Sequence, residues 1–415
     1  MKYSLASLGD VLEKIIGGGT PSKENKDYWN GSIPWCSVKD MKEGSYRIKK
    51  TEDFITEIGL KNSASNLIPK NTVITSTRMG LGRAFLSSVD MAINQDLKAL
   101  IPNSKIDKIF LLWSIIFQKD IIEGLGTGAT VKGIRLETLK SIKIPLPPLQ
   151  TQKKIAGILS AYDDAIENNL RRIKLLEEMA QITYEEWFVR LRFPGHESTP
   201  INEATGLPEG WRKQFLGDFV STQYGYTESA VDDLELPKFV RITDFNKATY
   251  IYWPDVPNCP IDEKAFEKYK LEIGDVIVAR MADPGKVAII EKDIKAVFAS
   301  YCIRLRPKNK KELTPYYFFY TLRGDDYQGF VFGASTGATR RSANAKTLTH
   351  YDILVPKHNV MNAFEEMVLS IRSSINLYLD QNQRLREARD ILLPRLMTGV
   401  IDAEKYQPEN FLKKN

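Results

Sequence analysis

Two short loops combine hydroxyls, glycines and cations in the same order. Thr127-Gly128-Ala129-Thr130-Val131-Lys132 is one, and Thr336-Gly337-Ala338-Thr339-Arg340-Arg341 is the other, 209 positions further on (336 minus 127). Hydroxyls and unobstructed backbone amides approach a phosphate closely, while Lys or Arg neutralises its charge. Four more cations stand at strand-like ends beside Gly-rich turns. They are Arg78 and Arg83, with Arg280 and Lys286 displaced from them by 202 and 203 positions. An arginine so placed makes bidentate bonds to a guanine edge or to a phosphate. Their recurrence in matched places makes contact with a polyanion the chemistry of the set.

Catalytic constellations are missing. The three histidines, His196, His350 and His358, have no metal-ligand spacing. Gly17-Gly18-Gly19-Thr20-Pro21-Ser22-Lys23 lacks the glycine before Lys that a phosphate loop requires, and its proline removes an amide donor. No Asn/Asp-Pro-Pro-aromatic loop of the kind that holds a flipped adenine occurs, and Asp283-Pro284-Gly285 reads as a turn. A metal nuclease gathers carboxylates and a lysine around the scissile phosphate. Asp255 with Asp262-Glu263-Lys264, or with Asp293-Ile294-Lys295, meets a loose version of that pattern and has no counterpart in the first half. With 27% of residues charged, chance supplies such matches. A stand-alone metal-dependent DNA nuclease is the alternative reading; no catalytic or metal residue is otherwise assigned.

The elements that must position these cations are duplicated. Beyond the two loops, Thr138-Leu139 maps to Thr347-Leu348, Ile144 to Ile353 and Pro147 to Pro356, while Leu8-Gly9-Asp10 recurs as Leu216-Gly217-Asp218. A period this long is a repeated domain, because solenoid units run to roughly 20–50 residues. Residues 1–150 read as a mixed module. It has strand-like Thr72-Val73-Ile74-Thr75 and Ala84-Phe85-Leu86, an apolar helix from about Asp107 to Glu123, and a last strand ended by the prolines after Ile144.

Residues 151–192 change character. Ile155, Leu159, Tyr162, Ile166, Ile173, Leu176, Ala180 and Trp187 fall in a four-three rhythm with Asn169 in a seam position. That is coiled-coil spacing, and ~35 residues give a rod of roughly 50 Å. Residues 193–357 read as a turn-rich link and a second module. From 358 to 415, Phe364, Val368, Ile371, Ile375, Tyr378, Leu385 and Leu392 repeat the rhythm with Asn382 on the seam; Arg389 interrupts it and Pro394 ends or kinks it. The expected fold is α+β: two similar mixed α/β domains separated by a long antiparallel two-helix coiled coil.

Composition sets few limits. A net charge of +6 over 415 residues suits a polyanionic partner without requiring one. Cys36, Cys259 and Cys302 are isolated, which fits a reducing cytoplasm. The start lacks a signal-peptide core, and the best apolar run, Ile109 to Phe117, is far short of the ~20 residues that span a bilayer. No membrane association is expected.

Several segments carry a family resemblance. Gly18-Gly19-Thr20-Pro21-Ser22-Lys23, followed by Tyr28-Trp29-Asn30-Gly31-Ser32-Ile33-Pro34-Trp35-Cys36-Ser37-Val38-Lys39-Asp40-Met41, resembles the opening of a target-recognition domain in type I restriction–modification specificity subunits. Ile93-Asn94-Gln95-Asp96, Ile144-Pro145-Leu146-Pro147-Pro148-Leu149, Leu207-Pro208-Glu209-Gly210-Trp211 and Leu392-Leu393-Pro394-Arg395-Leu396-Met397-Thr398-Gly399 extend the likeness over about residues 5–402. The second module departs from it. Thr222-Gln223-Tyr224-Gly225-Tyr226-Thr227 replaces the Gly-Gly-Thr-Pro-Ser start, and the Trp block shrinks to Phe239-Val240-Arg241-Ile242-Thr243-Asp244.

The resemblance implies a non-catalytic subunit that reads a split double-stranded DNA target with an unread gap. It implies two methyltransferase subunits as partners, restriction/translocase subunits beside them, and adenine methylation or cleavage carried out by those partners. No cofactor is expected on this chain; S-adenosylmethionine, ATP and Mg belong to the partners. The resemblance adds Thr20, Ser22, Lys23, Lys39 and Arg241 to the DNA-binding set of Arg78, Arg83, Thr127, Thr130, Lys132, Arg280, Lys286, Thr336, Thr339, Arg340 and Arg341.

Overall fold

A computed structural model of the chain describes residues 3–41, 46–128, 131–335 and 341–406. Two compact units emerge, Met1–Asn169 with Asp380–Asn415, and Leu170–Leu379. Each is a mixed α/β body.

Unit 1 is built on a five-stranded sheet ordered Leu12–Gly17, Leu97–Pro102, Val73–Ser76, Ala84–Ser87 and Arg47–Ile48. Its central strands are apolar on both faces because both are covered. Val73, Leu86 and Leu100 join Phe110, Leu111 and Ile115 of the helix Lys108–Phe117 on one side. Ile74, Phe85 and Ala99 join Cys36, Met91 and Ile93 on the other. That second group belongs to a four-stranded sheet ordered Asp53–Ile55, Trp29–Cys36, Met91–Ile93 and Leu67–Ile68. The helix expected from Asp107 to Glu123 is two helices, Lys108–Phe117 and Lys119–Gly124, broken at Gln118. Asp107 starts the first by accepting from Ile109 N at 2.9 Å and Phe110 N at 3.0 Å.

Unit 2 repeats this frame with fewer strands. Val220–Tyr224, Cys302–Pro307, Val276–Ala279 and Val287–Ile289 form its main sheet, and Lys238–Val240 pairs in parallel with Ala296–Phe298. Val276, Val278, Ile303 and Leu305 face the aromatic helix Pro315–Arg323, while Ile277, Ala279 and Cys302 face Val240 and Phe298.

Two long helices, Leu149–Tyr184 and His358–Met397, each give one half to each unit. In unit 1, Arg389 Nη1 donates to Asp163 Oδ1 at 2.6 Å and Asn169 Nδ2 donates to Asn382 Oδ1 at 3.0 Å. As numbers rise along one helix they fall along the other, so the pairing is antiparallel. In unit 2 the sense is the same: Arg172 donates to Tyr378 at 3.2 Å, and Glu177 and Arg372 both bond Thr249. The buried Asn169–Asn382 bond joins the two seam asparagines, a pairing that fixes register where apolar residues alone tolerate slippage.

Ile155, Leu159, Ile166, Ile173, Ile371 and Ile375 are buried as the rhythm requires. Leu176, Tyr378 and Leu385 are only half-buried. Leu379 takes the buried place beside Ile375, because the Tyr378 phenol turns outward to bond Arg172. Pro394 does not end the second helix, which runs on to Met397. Arg389 does not interrupt the packing either. It is fully buried, lies 4.6 Å from the Tyr46 ring and pairs with Asp163. The first helix ends sooner than the spacing implies, in a π turn at Glu185–Val189 that brings Phe188 into the core of unit 2.

Candidate nucleic-acid interface

In unit 1 the two glycines after the first sheet strand exist to let backbones meet. A side chain on Gly18 would lie 1.9 Å from Ile93 O, and one on Gly19 would meet Ala64 at 2.7 Å. Freed of that clash, Gly19 N donates to Ile93 O at 3.0 Å and delivers Thr20 beside Gln95, whose Oε1 accepts from Thr20 Oγ1 at 2.6 Å. The Trp block fixes the same segment from the other side. Trp35 Nε1 donates to Gly19 O and Trp29 Nε1 to Ser22 O, both at 3.0 Å, and the two indoles meet edge to face at 5.2 Å. The Gly-Gly-Thr-Pro-Ser and Ile-Pro-Trp motifs are therefore one device. Its product is a positioned Thr20–Gln95 pair at the surface.

Gln95 sits at the tip of a stiff turn. Asn94 Oδ1 accepts from Asp96 N at 3.1 Å, and Lys98 Nζ donates to Gln95 O at 2.7 Å. Burial lowers the Lys98 pKa. Arg78 is held alongside. Thr77 N donates to Asp96 O at 2.8 Å, Ile134 N donates to Thr77 O at 3.0 Å, and the buried Ser76 hydroxyl bonds Arg78 O at 2.6 Å and Met79 O at 2.9 Å. The Arg78 backbone is clamped while its side chain is exposed. Thr127 exchanges backbone bonds with Gly133 at 2.9 and 2.8 Å, closing the loop next door. Arg78, Gln95, Asp96, Thr127, Gly133 and Arg135 line one shallow depression of about 380 Å³. Sequence reasoning found Arg78 and Thr127. It gave no role to Gln95, which lay inside a quoted motif, or to Arg135 just past the loop.

Unit 2 preserves the skeleton and changes the side chains. Arg280 N donates to Tyr301 O as Thr77 N does to Asp96 O, and Ala343 N donates to Arg280 O as Ile134 N does to Thr77 O. The left-handed residues Met79 and Ala282 correspond, as do Gly82 and Gly285. The register is thus 203 positions. Lys286 is the counterpart of Arg83, but Arg280 stands opposite Thr77, and Met281 stands opposite Arg78. This one-residue shift has a physical consequence. Arg280 is half-buried, its guanidinium 5.0 Å from the Tyr224 ring and 3.4 Å from Ser300 O, so it braces the fold where Arg78 is displayed.

Other expected contacts divide similarly. Ser22, Lys23, Lys39, Lys132 and Lys286 are exposed. Arg83 donates to Met41 O at 3.2 Å and is half-buried. Arg241 occupies the capping position held by Ser37 in unit 1. Asp244 accepts from its backbone at 2.7 Å and from its guanidinium at 2.9 and 3.2 Å, as Asp40 accepts from Ser37 N at 2.8 Å. Arg241 is therefore an internally paired cation. Arg341 stacks 3.5 Å from the Phe332 ring centroid. Thr130, Thr336, Thr339 and Arg340 lie outside the described residues. Cys36, Cys259 and Cys302 are free and buried, and burial pushes the Cys259 thiol up to about 11. Among the described residues no three His, Cys, Asp or Glu side chains gather to hold a metal. Asp262 of the nuclease alternative caps the helix Glu263–Tyr269 by accepting from Ala265 N at 2.8 Å. No described helix is long and apolar enough to cross a membrane.

Two bodies with one hydrogen-bond skeleton and divergent surface side chains define a duplicated sequence-recognition protein. The family model described as "Type I restriction modification DNA specificity domain" matches residues 2–178 and 208–360, and the chain belongs to that family. Its function is recognition of DNA sequence within a type I restriction–modification system. The MjaIX specificity subunit of Methanocaldococcus jannaschii is 26% identical over 97% of this chain and 94% of that protein. The EcoR124I/EcoR124II specificity subunit of Escherichia coli is 35% identical over 43% of this chain and 45% of its own. The crystal structure of a type I S subunit from M. genitalium superposes with a TM-score of 0.57 at 16% identity, covering 96% of both chains, and supports the fold.

Proposed function

We propose that unit 1 and unit 2 each read one half of a split DNA target, and that the helix pair sets the unread gap between the halves. The observation carrying this reading is the repeated skeleton with different displayed residues. Arg78 and Gln95 in one unit stand where Met281 and Ser300 stand in the other, so the halves read differ. Half-sites on one face of B-DNA lie about a helical turn apart, roughly 34–36 Å, which a 36-residue helix of about 50 Å accommodates.

The helix pair also offers a docking face for methyltransferase subunits. Leu175, Met179 and Ile182 of the first helix and Leu369 and Leu377 of the second are exposed at helical spacing. Two such subunits act as the adenine-modifying partners and restriction/translocase subunits as the cleaving ones. S-adenosylmethionine, ATP and Mg reside on those partners, in the cytoplasm.

Competition binding of the full chain with its methyltransferase, at several salt concentrations, tests the reading. Affinity should depend on sequence at every salt, with an electrostatic slope beneath it. A protein-binding scaffold would show no sequence dependence at any salt, and a nuclease would cut DNA supplied with Mg or Mn without further subunits.

A further inference from the structure

We propose that Gln95 is the adenine-reading residue of unit 1 and that Thr20 is the positioning residue that presets it. The inference rests on the split-target reading above and deepens it. A glutamine amide recognises adenine by donating to N7 and accepting from N6, which needs a side chain whose plane is fixed before DNA arrives. Free in solvent, the long Gln side chain would give up its rotamer freedom on binding.

Here that freedom is already removed. Thr20 Oγ1 holds one lone pair of Oε1 at 2.6 Å, leaving the other lone pair and both Nε2 protons available. The backbone under Gln95 is pinned by the Asn94 turn and by Lys98, and the side chain is exposed. Arg78 and Arg135 line the same depression, supplying the cations that a phosphate or guanine beside the adenine requires. Thr20 in turn reaches Gln95 only because Gly18 and Gly19 let the chain lie against Ile93 and Ala64. The whole motif thus converges on one amide.

Unit 2 lacks the pair. Ser300 occupies the place of Gln95, with Ser300 N bonded to Tyr226 O at 2.8 Å, and its short hydroxyl lacks the separate, coplanar donor and acceptor atoms with which a glutamine amide matches an adenine edge. The Gly225 close approach survives there, its Cβ position 2.2 Å from Ala299 O, so the frame is kept while the reader is changed.

The test is the methylation motif, mapped by sequencing DNA from cells carrying the full chain and its methyltransferase partner. The unmodified chain supplies the control: two half-sites establish the split-target reading, and a motif without them refutes that reading. Gln95→Ser and Gln95→Ala should relax one adenine position in one half by ~5- to 150-fold, leaving the other half unchanged. Gln95→Glu, nearly isosteric, should move that position toward cytosine, whose N4 donor a carboxylate accepts. Thr20→Val should relax the same position and Thr20→Ser should restore it. A split motif that is unaltered by Gln95→Glu, or that weakens equally at every position, overturns the assignment while leaving the split-target reading intact.

Discussion

Arg372 of the second long helix is a buried cation of unit 2, with its side chain fully inaccessible and that of Glu291 7% exposed. Arg372 Nε donates to Glu291 Oε1 at 2.8 Å, Nη2 donates to the other carboxylate oxygen, Nη1 reaches Thr249 Oγ1 at 2.9 Å, and Nη2 also reaches Thr249 O at 3.0 Å. Tyr316 Oη also donates to Glu291 Oε1, at 3.1 Å. Despite burial, the carboxylate raises the Arg372 pKa and keeps the guanidinium charged.

Arg372→Met preserves the stem and strands a buried carboxylate, a change that costs about 3–5 kcal/mol. Adding Glu291→Gln removes the stranded charge and keeps an acceptor for Tyr316, so the double variant should recover about 2 kcal/mol or more of that loss. The exposed Lys174–Glu178 pair at 3.5 Å is the control, and breaking it should cost no more than ~0.5 kcal/mol. Urea unfolding followed by tryptophan fluorescence reads the three variants against the parent, with Trp187, Trp211 and Trp253 in unit 2. If Arg372→Met costs under ~1 kcal/mol, or the single and double variants unfold alike, the pair does not anchor the helix and the reasoning fails.

Burial pushes Asp163 up to about 6 from 3.8 against the opposing charge of Arg389. The folded chain thus keeps a proton that the unfolded chain has lost, and this group's contribution to stability falls as pH rises from about 4 to 6. Stability of the parent minus that of Asp163→Asn should therefore drop by ~3 kcal/mol across that window, and parallel urea curves would contradict it. Arg78→Ala should weaken specific DNA binding by about 1–3 kcal/mol through one half-site only. Arg280→Ala should instead lower the melting temperature of the chain, and an unchanged melt would mean its contacts with Tyr224 and Ser300 are idle. Ile166→Asp buries an unpaired carboxylate at a 4% exposed seam position, so it should cost ~3 kcal/mol or more and abolish co-purification with the methyltransferase. Unimpaired co-purification would detach the seam from assembly.

The duplication, the helix rhythm and the Gly-Gly-Thr-Pro-Ser block were legible because each is a local pattern with a single physical reading. The shift between Arg78 and Arg280 was not. Sequence similarity matched arginine to arginine, whereas backbone bonding to Asp96 and Tyr301 sets the register one residue away. Tyr378 and Leu379 differ in burial for a similar reason: two neighbours compete for one seam slot, and a bond to Arg172 decides it. Arg389 looked like a break in the stripe because its countercharge, Asp163, lies on the other helix, 226 positions away. Gln95 escaped notice because its importance lies in a bond to Thr20 across 75 positions.

The most direct measurement is the complete methylation map of DNA from cells expressing the unaltered chain with its methyltransferase. One motif should emerge, with two different defined halves flanking a run of fixed length in which every base is tolerated. A single uninterrupted motif, or halves separated by runs of variable length, would contradict the claim that two readers on one helix pair measure out the target.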